Sequence, residues 1–526
     1  MTKVKALSLV VVLLLSTAAA APAADFRYPF REPDHPIDPT KGATLFNGHY
    51  LANLFDGLAD VGPDGRISML GATEYKVSSD GTVYTFLLRR GVKWSDGTPV
   101  TAHDYEFAWK RGLDPKTGNI NLSSLLSLKN GRAFNKGELK EAGPVGVQAK
   151  DDHTLEVTLE GPRGWFLRSV AAEAAWLPVP RHVVGKHGDR WTEPENIVTN
   201  GPFVVQSWRH DQQMILAPNP QYWREKPAVR VVITMTNDPQ STSLSAYETD
   251  EVDWAWAPLT QLNQLRTHPV LSKELKTAPQ TATWFTVLDV TTPPLNDVRV
   301  RRALYLTVDR QRLTQAFLQG AYAPATSLTP PGMPGHTAAL PMTGGVPEGR
   351  RLLADAGFPD GRGFPVLTYT TPNLTEDRVV AEALQRMWKD ALNIELKIEL
   401  MERRAFQAWR TARKTQPYHL HFGGWTAEFG DPSVFHNGML TALIDRQNHK
   451  WRDPRYEELI ARGAAEPDPQ QRHALYEQAE RIVAEQVPVI PWGYKQKPYL
   501  LKPHVKGFVV APNGWIDLFH KVQIVR

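Results

Sequence analysis

Three histidines stand where a metal could be held. His419 and His421 flank one leucine, so on a strand both rings would leave the same face, and His436 follows a short way on. No further ligand stands at a recognised metal spacing, and one packed and one solvated histidine account for the pair equally well. No metal or other cofactor is expected. The segment 425–431 places two carboxylates, Glu428 and Asp431, beside Trp425 and Phe429. That composition suits a loop following the strand, and by itself marks no more than a loop edge. The motifs G-x-S-x-G and H-E-x-x-H are missing, as are the P-loop and G-x-G-x-x-G. Cys is absent, which removes disulfides, thiol catalysis and cysteine-based zinc sites. With these motifs missing, an unfamiliar hydrolase is the catalytic alternative.

The N-terminus sets the expected compartment. Lys3 and Lys5 precede an apolar run over 6–15, then a small, alanine-rich stretch with Ala21-Pro22-Ala23. This is the layout of a cleavable secretory signal, expected over 1–24. The run is shorter than the roughly 20 residues that cross a bilayer, and no long apolar run follows, so a soluble exported protein without a membrane anchor is expected. With no cysteine to carry a lipid, it would diffuse freely, which suits the periplasm of a cell with an outer membrane. The formal charge is +4, of which Lys3 and Lys5 supply two. So weak a charge gives no electrostatic case for nucleic acid. Sixteen Trp and 15 Tyr offer many rigid aromatic surfaces, mostly for cores and some for a binding cleft.

These residues must be carried by a mixed α/β scaffold. Residues 25–44, rich in proline and charge, read as extended. Period-two alternation marks strands at 83–89 and 154–159, the latter aligning Leu155, Val157 and Leu159 on one face. Thr101 three residues before Asp104 resembles a capping box for a helix to Gly112. Asn296-Asp297 opens a helix to Leu306, and Asp309 caps one that ends at Gly320. A helix from Thr375 or Glu376 to Leu392 would put Val380, Leu384, Met387 and Ala391 on one side. Asp468-Pro469 starts another, with Leu475, Tyr476, Ile482 and Val483 apolar. Strands at 364–369, 394–400 and 418–422 interleave with these helices.

Five stretches in order then carry a resemblance. They are 84–104, containing Lys93-Trp94-Ser95-Asp96-Gly97-Thr98-Pro99; 197–203 with Asn219-Pro220-Gln221-Tyr222-Trp223; 295–304; 352–358; and Gly424-Trp425 with its acidic tail to Pro432. Together they resemble the peptide-binding family of solute-binding proteins that serve ABC importers, and most of all its periplasmic oligopeptide-binding members. The resemblance implies a binder and not an enzyme, with a two-lobed periplasmic binding protein fold and an additional smaller domain on the first lobe. Matching segments place the first lobe at 25–55, 199–282 and 492–526, the additional domain at 56–198 and the second lobe at 283–491. Ligand would be trapped by hinge closure. The implied partners are a peptide or peptide-like ligand and the importer's membrane permease subunits, with the carrier a monomer.

The same resemblance assigns a site. Gly424, Trp425 and Thr426 match the segment that pairs with an extended peptide as an added strand, a mode blind to side chains. Glycine there would let another backbone approach, and Trp425 would pack on a ligand side chain. Glu428 stands where the family keeps an Asp for the ligand's ammonium, with Asp431 the nearest substitute. Trp256 and Trp492 fall in segments matching cleft-lining parts of the first lobe. There are departures. Phe422 and Thr375 replace an Arg and a His that can meet a peptide carboxylate, while Arg410 matches a third basic position, blurred by an apparent insertion near Arg413 and Lys414. The ligand would then be longer, modified or not a plain short peptide. The same fold could instead take a murein peptide, a peptide antibiotic, a metal chelate or an opine-like compound. A chaperone-like periplasmic protein without a transport partner is the third alternative.

Overall fold

The computed structural model describes residues 24–44, 46–62, 65–337, 343–412, 416–427, 429–436, 450–511, 513–514 and 516–525. The stretch after the expected signal begins as a strand, Ala24–Phe30, that buries Phe26, Tyr28 and Phe30. It runs parallel to Val229–Met235, which continues antiparallel through Gln213–Pro218 to Phe203–Arg209. A second sheet is wholly antiparallel, in the order Ala72–Val77, Val83–Leu88, Thr154–Thr158 and Val147–Asp151. Alternation decides its faces: Tyr84, Phe86 and Leu88 go inward from one strand, Leu155 and Val157 from its neighbour. Helix Ala102–Leu113 covers that face with Tyr105, Ala108 and Trp109, and starts at the expected capping box, where Asp104 accepts from Thr101 N at 2.8 Å. The cores of these two sheets are continuous, since Phe26, Phe86 and Trp109 belong to one apolar cluster.

The largest sheet has seven strands and is built on two long ones, Leu275–Leu288 and Val489–Leu501. They pair antiparallel over most of their length, with register shifts between Pro279 and Thr283 and between Trp284 and Phe285. At one end the edge strand Trp254–Trp256 pairs with Tyr499 to Leu501. At the other, Leu420–Thr426 pairs with Ala282 to Leu288, and Leu367–Pro372 and Leu396–Met401 extend the sheet in parallel. Helix Thr375–Leu392 makes the crossover between these two, burying Val380, Leu384, Met387 and Trp388. The result is a two-lobed α/β molecule whose lobes share two strands. Lys497, on one of them, is tied to the C-terminal segment by a fully buried 2.7 Å ion pair to Asp517.

Expected and observed elements differ in ways with simple causes. Asp468 caps helix Pro469–Gln486 through Gln471 N at 2.8 Å, and Asp297 caps Val298–Leu306 through Arg299 N at 2.8 Å, as the sequence indicates. The helix expected after Asp309 is only one turn, Arg310–Arg312, followed by a wider turn over Leu313–Phe317; Gly320 takes the expected left-handed φ of 69°. The three strands of the C-terminal half begin two or three residues later than alternation suggests; before the first of them Phe364 meets Phe358 edge-on in the preceding loop instead of entering the sheet. The core also crosses the expected lobe boundary. Leu244, Tyr247 and Leu265 share an apolar cluster with Leu304 and Leu384, since the long strands present one continuous face to both. Among the described residues no helix is long and apolar enough to cross a membrane.

Candidate functional site

The strand Leu420–Thr426 reaches farther than composition suggests. Trp425 and Thr426 are strand residues opposite Thr283 and Ala282, and Ala427 N donates to Thr281 O at 2.7 Å just beyond. Backbone pairing to the long strand overrides the loop-like side chains. Gly424 faces Trp284, and a Cβ there would lie 3.0 Å from the indole. The glycine therefore makes room for a side chain of its own lobe, not for an approaching backbone. Trp425 is half-buried beside the cluster of Phe285 and Phe435, with its Nε1 sequestered and without a partner among the described residues.

From the end of this strand a cavity of about 430 Å³ opens between the lobes. Thr281, Thr426, Ala427, Phe429 and Gly430 wall one side. The opposite side comes from helix Asn47–Leu54, the segment 55–61, the alanine-rich segment 170–177 and the C-terminal segment around Ile516. Apolar surface dominates, from Leu51, Phe55, Leu70, Val170 and Ile516, and several alanines and glycines keep the walls apart.

Its polar groups form two poles. At one, Asp56 accepts from Tyr222 Oη at 3.1 Å and Trp223 Nε1 at 3.4 Å, with Arg224 and Asp60 nearby. Burial pushes Asp56 up to about 6 against those hydrogen bonds and the Arg224 charge, and also raises Asp60. Burial, with the nearby charges of Lys521 and Arg224, holds His520 down to about 4. At the other pole Glu173 takes a 2.5 Å hydrogen bond from Ser169 Oγ. Burial raises its carboxyl, opposed by hydrogen bonds from Ser124, Ser169 and Trp176.

The residues singled out in the sequence are only partly gathered here. Thr426 lines the cavity and Gly424 and Trp425 lead to it; Glu428 lies outside the described residues, as do Arg413 and Lys414. Asp431 cannot substitute for Glu428. It is fully buried, pairs with Arg472 Nη2 at 2.9 Å and accepts from Ser433 N at 3.0 Å, so its charge is already matched. Trp492 is core and not cleft: it is 1 % exposed and its ring lies 5.4 Å from that of Tyr322 in the apolar cluster of Leu304 and Leu384. Trp256 is half-buried against Trp254, with Lys497 Nζ 5.0 Å from its ring, and is not among the cavity's walls. Phe422, opposite Thr286, packs on the second-lobe core. Arg410 sits on helix Arg403–Ala412, half-buried, giving Nη2 to Gln407 Oε1, away from the cavity walls. The histidines separate: His419 Nδ1 accepts from Thr368 N at 3.0 Å, His421 packs among Phe406, Trp409 and Tyr418, and His436 pairs with Glu480 at 3.1 Å.

Sequence reasoning missed the charged poles. One signal was present: Glu173 is the lone acid in a run of alanines, and Asp56 interrupts Leu54-Phe55 and Gly57-Leu58. Acids in apolar context are candidates for perturbed sites.

The sequence profile of the bacterial extracellular solute-binding proteins, family 5, middle part, matches residues 67–444. The chain is 35% identical over 501 residues to the probable deoxycholate-binding periplasmic protein YgiS of Escherichia coli K12, covering 93% of this chain and 91% of that one. It is 32% identical over 489 residues to the periplasmic oligopeptide-binding protein OppA of Salmonella typhimurium, covering 90% and 87%. Among solved structures, the unliganded open form of the murein tripeptide-binding protein MppA superposes with a TM-score of 0.83 at 27% identity, over 96% of this chain and 98% of that one. The Haemophilus influenzae OppA complex with the peptide RPPGFSPFR superposes with 0.73 at 26% identity, over 95% and 99%.

Proposed function

Because this chain belongs to the family 5 bacterial extracellular solute-binding proteins, we propose that it captures a peptide or peptide-like solute between its lobes in the periplasm and delivers it to an ABC importer. The observation that carries this reading is the cavity of about 430 Å³ walled by both lobes at the end of strand Leu420–Thr426. Relatives are named as binding proteins and not as enzymes. In this reading the first lobe comprises 25–55, 199–282 and 492–526, the additional domain 56–198 and the second lobe 283–491. The boundaries at 282 and 491 fall within the two shared long strands, where register shifts leave the pairing weakest to bending. Glu428 neutralises the ligand's ammonium, residues 1–24 are removed on export, and the carrier acts as a monomer with permease subunits as its partners.

A second reading is favoured by the cavity walls. Their apolar surface and small residues suit a bulky amphiphile of the kind named for the E. coli relative YgiS. Native mass spectrometry of protein purified without denaturation separates the two. A ladder of peptide masses supports peptide carriage, a single discrete mass supports a dedicated solute, and repeated recovery of empty protein from rich medium counts against both.

A further inference from the structure

Of the three acids among the described residues of the cavity wall, two already have cations. Asp56 and Asp60 share Arg224, and Asp60 also feels Lys521. Glu173 has none. Among the described residues no Lys, Arg or His pairs with it, and only neutral donors steady it. Ser169 Oγ accepts from Trp176 Nε1 at 2.7 Å, so its one hydrogen is free to go to Glu173 Oε2 at 2.5 Å. That arrangement holds the carboxylate as an acceptor. Glu173 also follows directly on helix Phe166–Ala172, with its N–H bonded to Ser169 O at 2.9 Å. A negative charge at a helix C-terminus is opposed by the unsatisfied carbonyls there, whereas a cation is favoured. A desolvated carboxylate is costly without a charged partner, and this one borders an apolar chamber instead of an internal cation.

We propose that Glu173 receives a cationic group of the ligand, an ammonium or guanidinium borne on a largely apolar moiety. Arg224 offsets both Asp56 and Asp60, so among the described residues of the wall Glu173 is the acid left without a cation, and the ligand brings its complement. This rests on the reading of the cavity as the ligand chamber. It adds a specificity determinant supplied by the Ala-rich segment of the additional domain, separate from the end of strand Leu420–Thr426. Neutral or acidic ligands of equal size leave Glu173 desolvated and unpaired, so they bind more weakly.

The test is a walk of one lysine through an alanine pentapeptide, paired with the same walk of norleucine, which has a similar apolar stem without the charge. Binding is measured by calorimetry on the full mature protein and on Glu173→Gln. At one position or more, lysine should bind at least tenfold more tightly than norleucine to the wild type, and Glu173→Gln should bring the two within threefold. Glu173→Asp, which keeps the charge, should retain a preference for lysine. Equal binding of the two walks to the wild type, or a preference that survives Glu173→Gln, would overturn the proposal. If neither walk binds the wild type, peptide carriage is what fails. Decylamine against decanol then decides the proposal: an amine preference lost in Glu173→Gln supports it, and equal binding of the two overturns it.

Discussion

Arg472 joins three parts of the molecule, and removing its charge should loosen the end of the ligand strand. Its guanidinium is 3 % exposed and Asp431, its partner at 2.9 Å, is fully buried. Nη1 reaches across to Gly164 O at 2.8 Å, just before helix Phe166–Ala172, and Gly164 N donates to Ala464 O at 3.3 Å. Trp165 stacks on Phe429 with centroids 5.7 Å apart beside this contact. Arg472→Met keeps much of the volume and strands Asp431 as an uncompensated buried charge. Removing one member of such a pair costs about 3–5 kcal/mol. Loss of the donor to Gly164 O adds about 1 kcal/mol. The cost should be local to the segments that these contacts join. Hydrogen exchange is therefore the assay: amides at 429–436 and in helix Pro469–Gln486 should lose protection by roughly the sum, while sheet amides in 83–88 and 154–158 keep theirs. Arg472→Met with Asp431→Asn should recover part of the loss, since no buried charge is then left alone. A change below about 1 kcal/mol in the single variant, or no recovery in the double, would refute the argument that the pair is desolvated and coupled.

Three further predictions follow from other sites. Asp56 is raised to about 6 in the folded protein from 3.8; the folded state binds its proton more tightly, so this group's contribution to stability is most favourable below pH 4 and falls as pH rises to 6. Two units correspond to at most about 3 kcal/mol, so Asp56→Asn should gain on the wild type by up to that amount between pH 4 and 6.5 in urea unfolding, and a pH-independent difference would contradict the assignment. Gly424→Ala should cost about 1–3 kcal/mol through overpacking, because its Cβ would meet the Trp284 ring at 3.0 Å, and an unchanged urea midpoint would show the indole simply yields. With Phe422 packed on the core and Arg410 away from the cavity walls, a peptide acid and its amide should bind within about threefold of each other in calorimetry; a tenfold preference for the acid, about 1.4 kcal/mol, would show that a carboxylate clamp exists elsewhere.

Periodicity made the helices and the sheet of the additional domain legible, because there one face is wet and one dry. Thr101 and Asp104 fixed a helix start, and Leu155 with Val157 fixed a face, from local chemistry alone. The two shared strands were harder to see. Leu275–Leu288 and Val489–Leu501 are long, contain prolines and are bulged, so no simple alternation announces them. Resemblance pointed to Gly424 to Thr426, of which Thr426 lines the cavity, yet spacing could not tell that Asp431 is matched by Arg472, forty-one residues on, or that Trp492 points into a core. Glu173 and Asp56 come together with Thr426 only through the packing of both lobes, and nothing in their neighbours along the chain encodes that meeting.

A ligand held between two lobes that close on it should make the molecule more compact. Small-angle scattering on the mature protein, stripped of bound ligand and then titrated with a ligand recovered from the native protein, tests this most directly. The radius of gyration should be smaller at saturation, reached at the stoichiometry that calorimetry gives for binding. An unchanged radius with binding confirmed at one site per chain would contradict it.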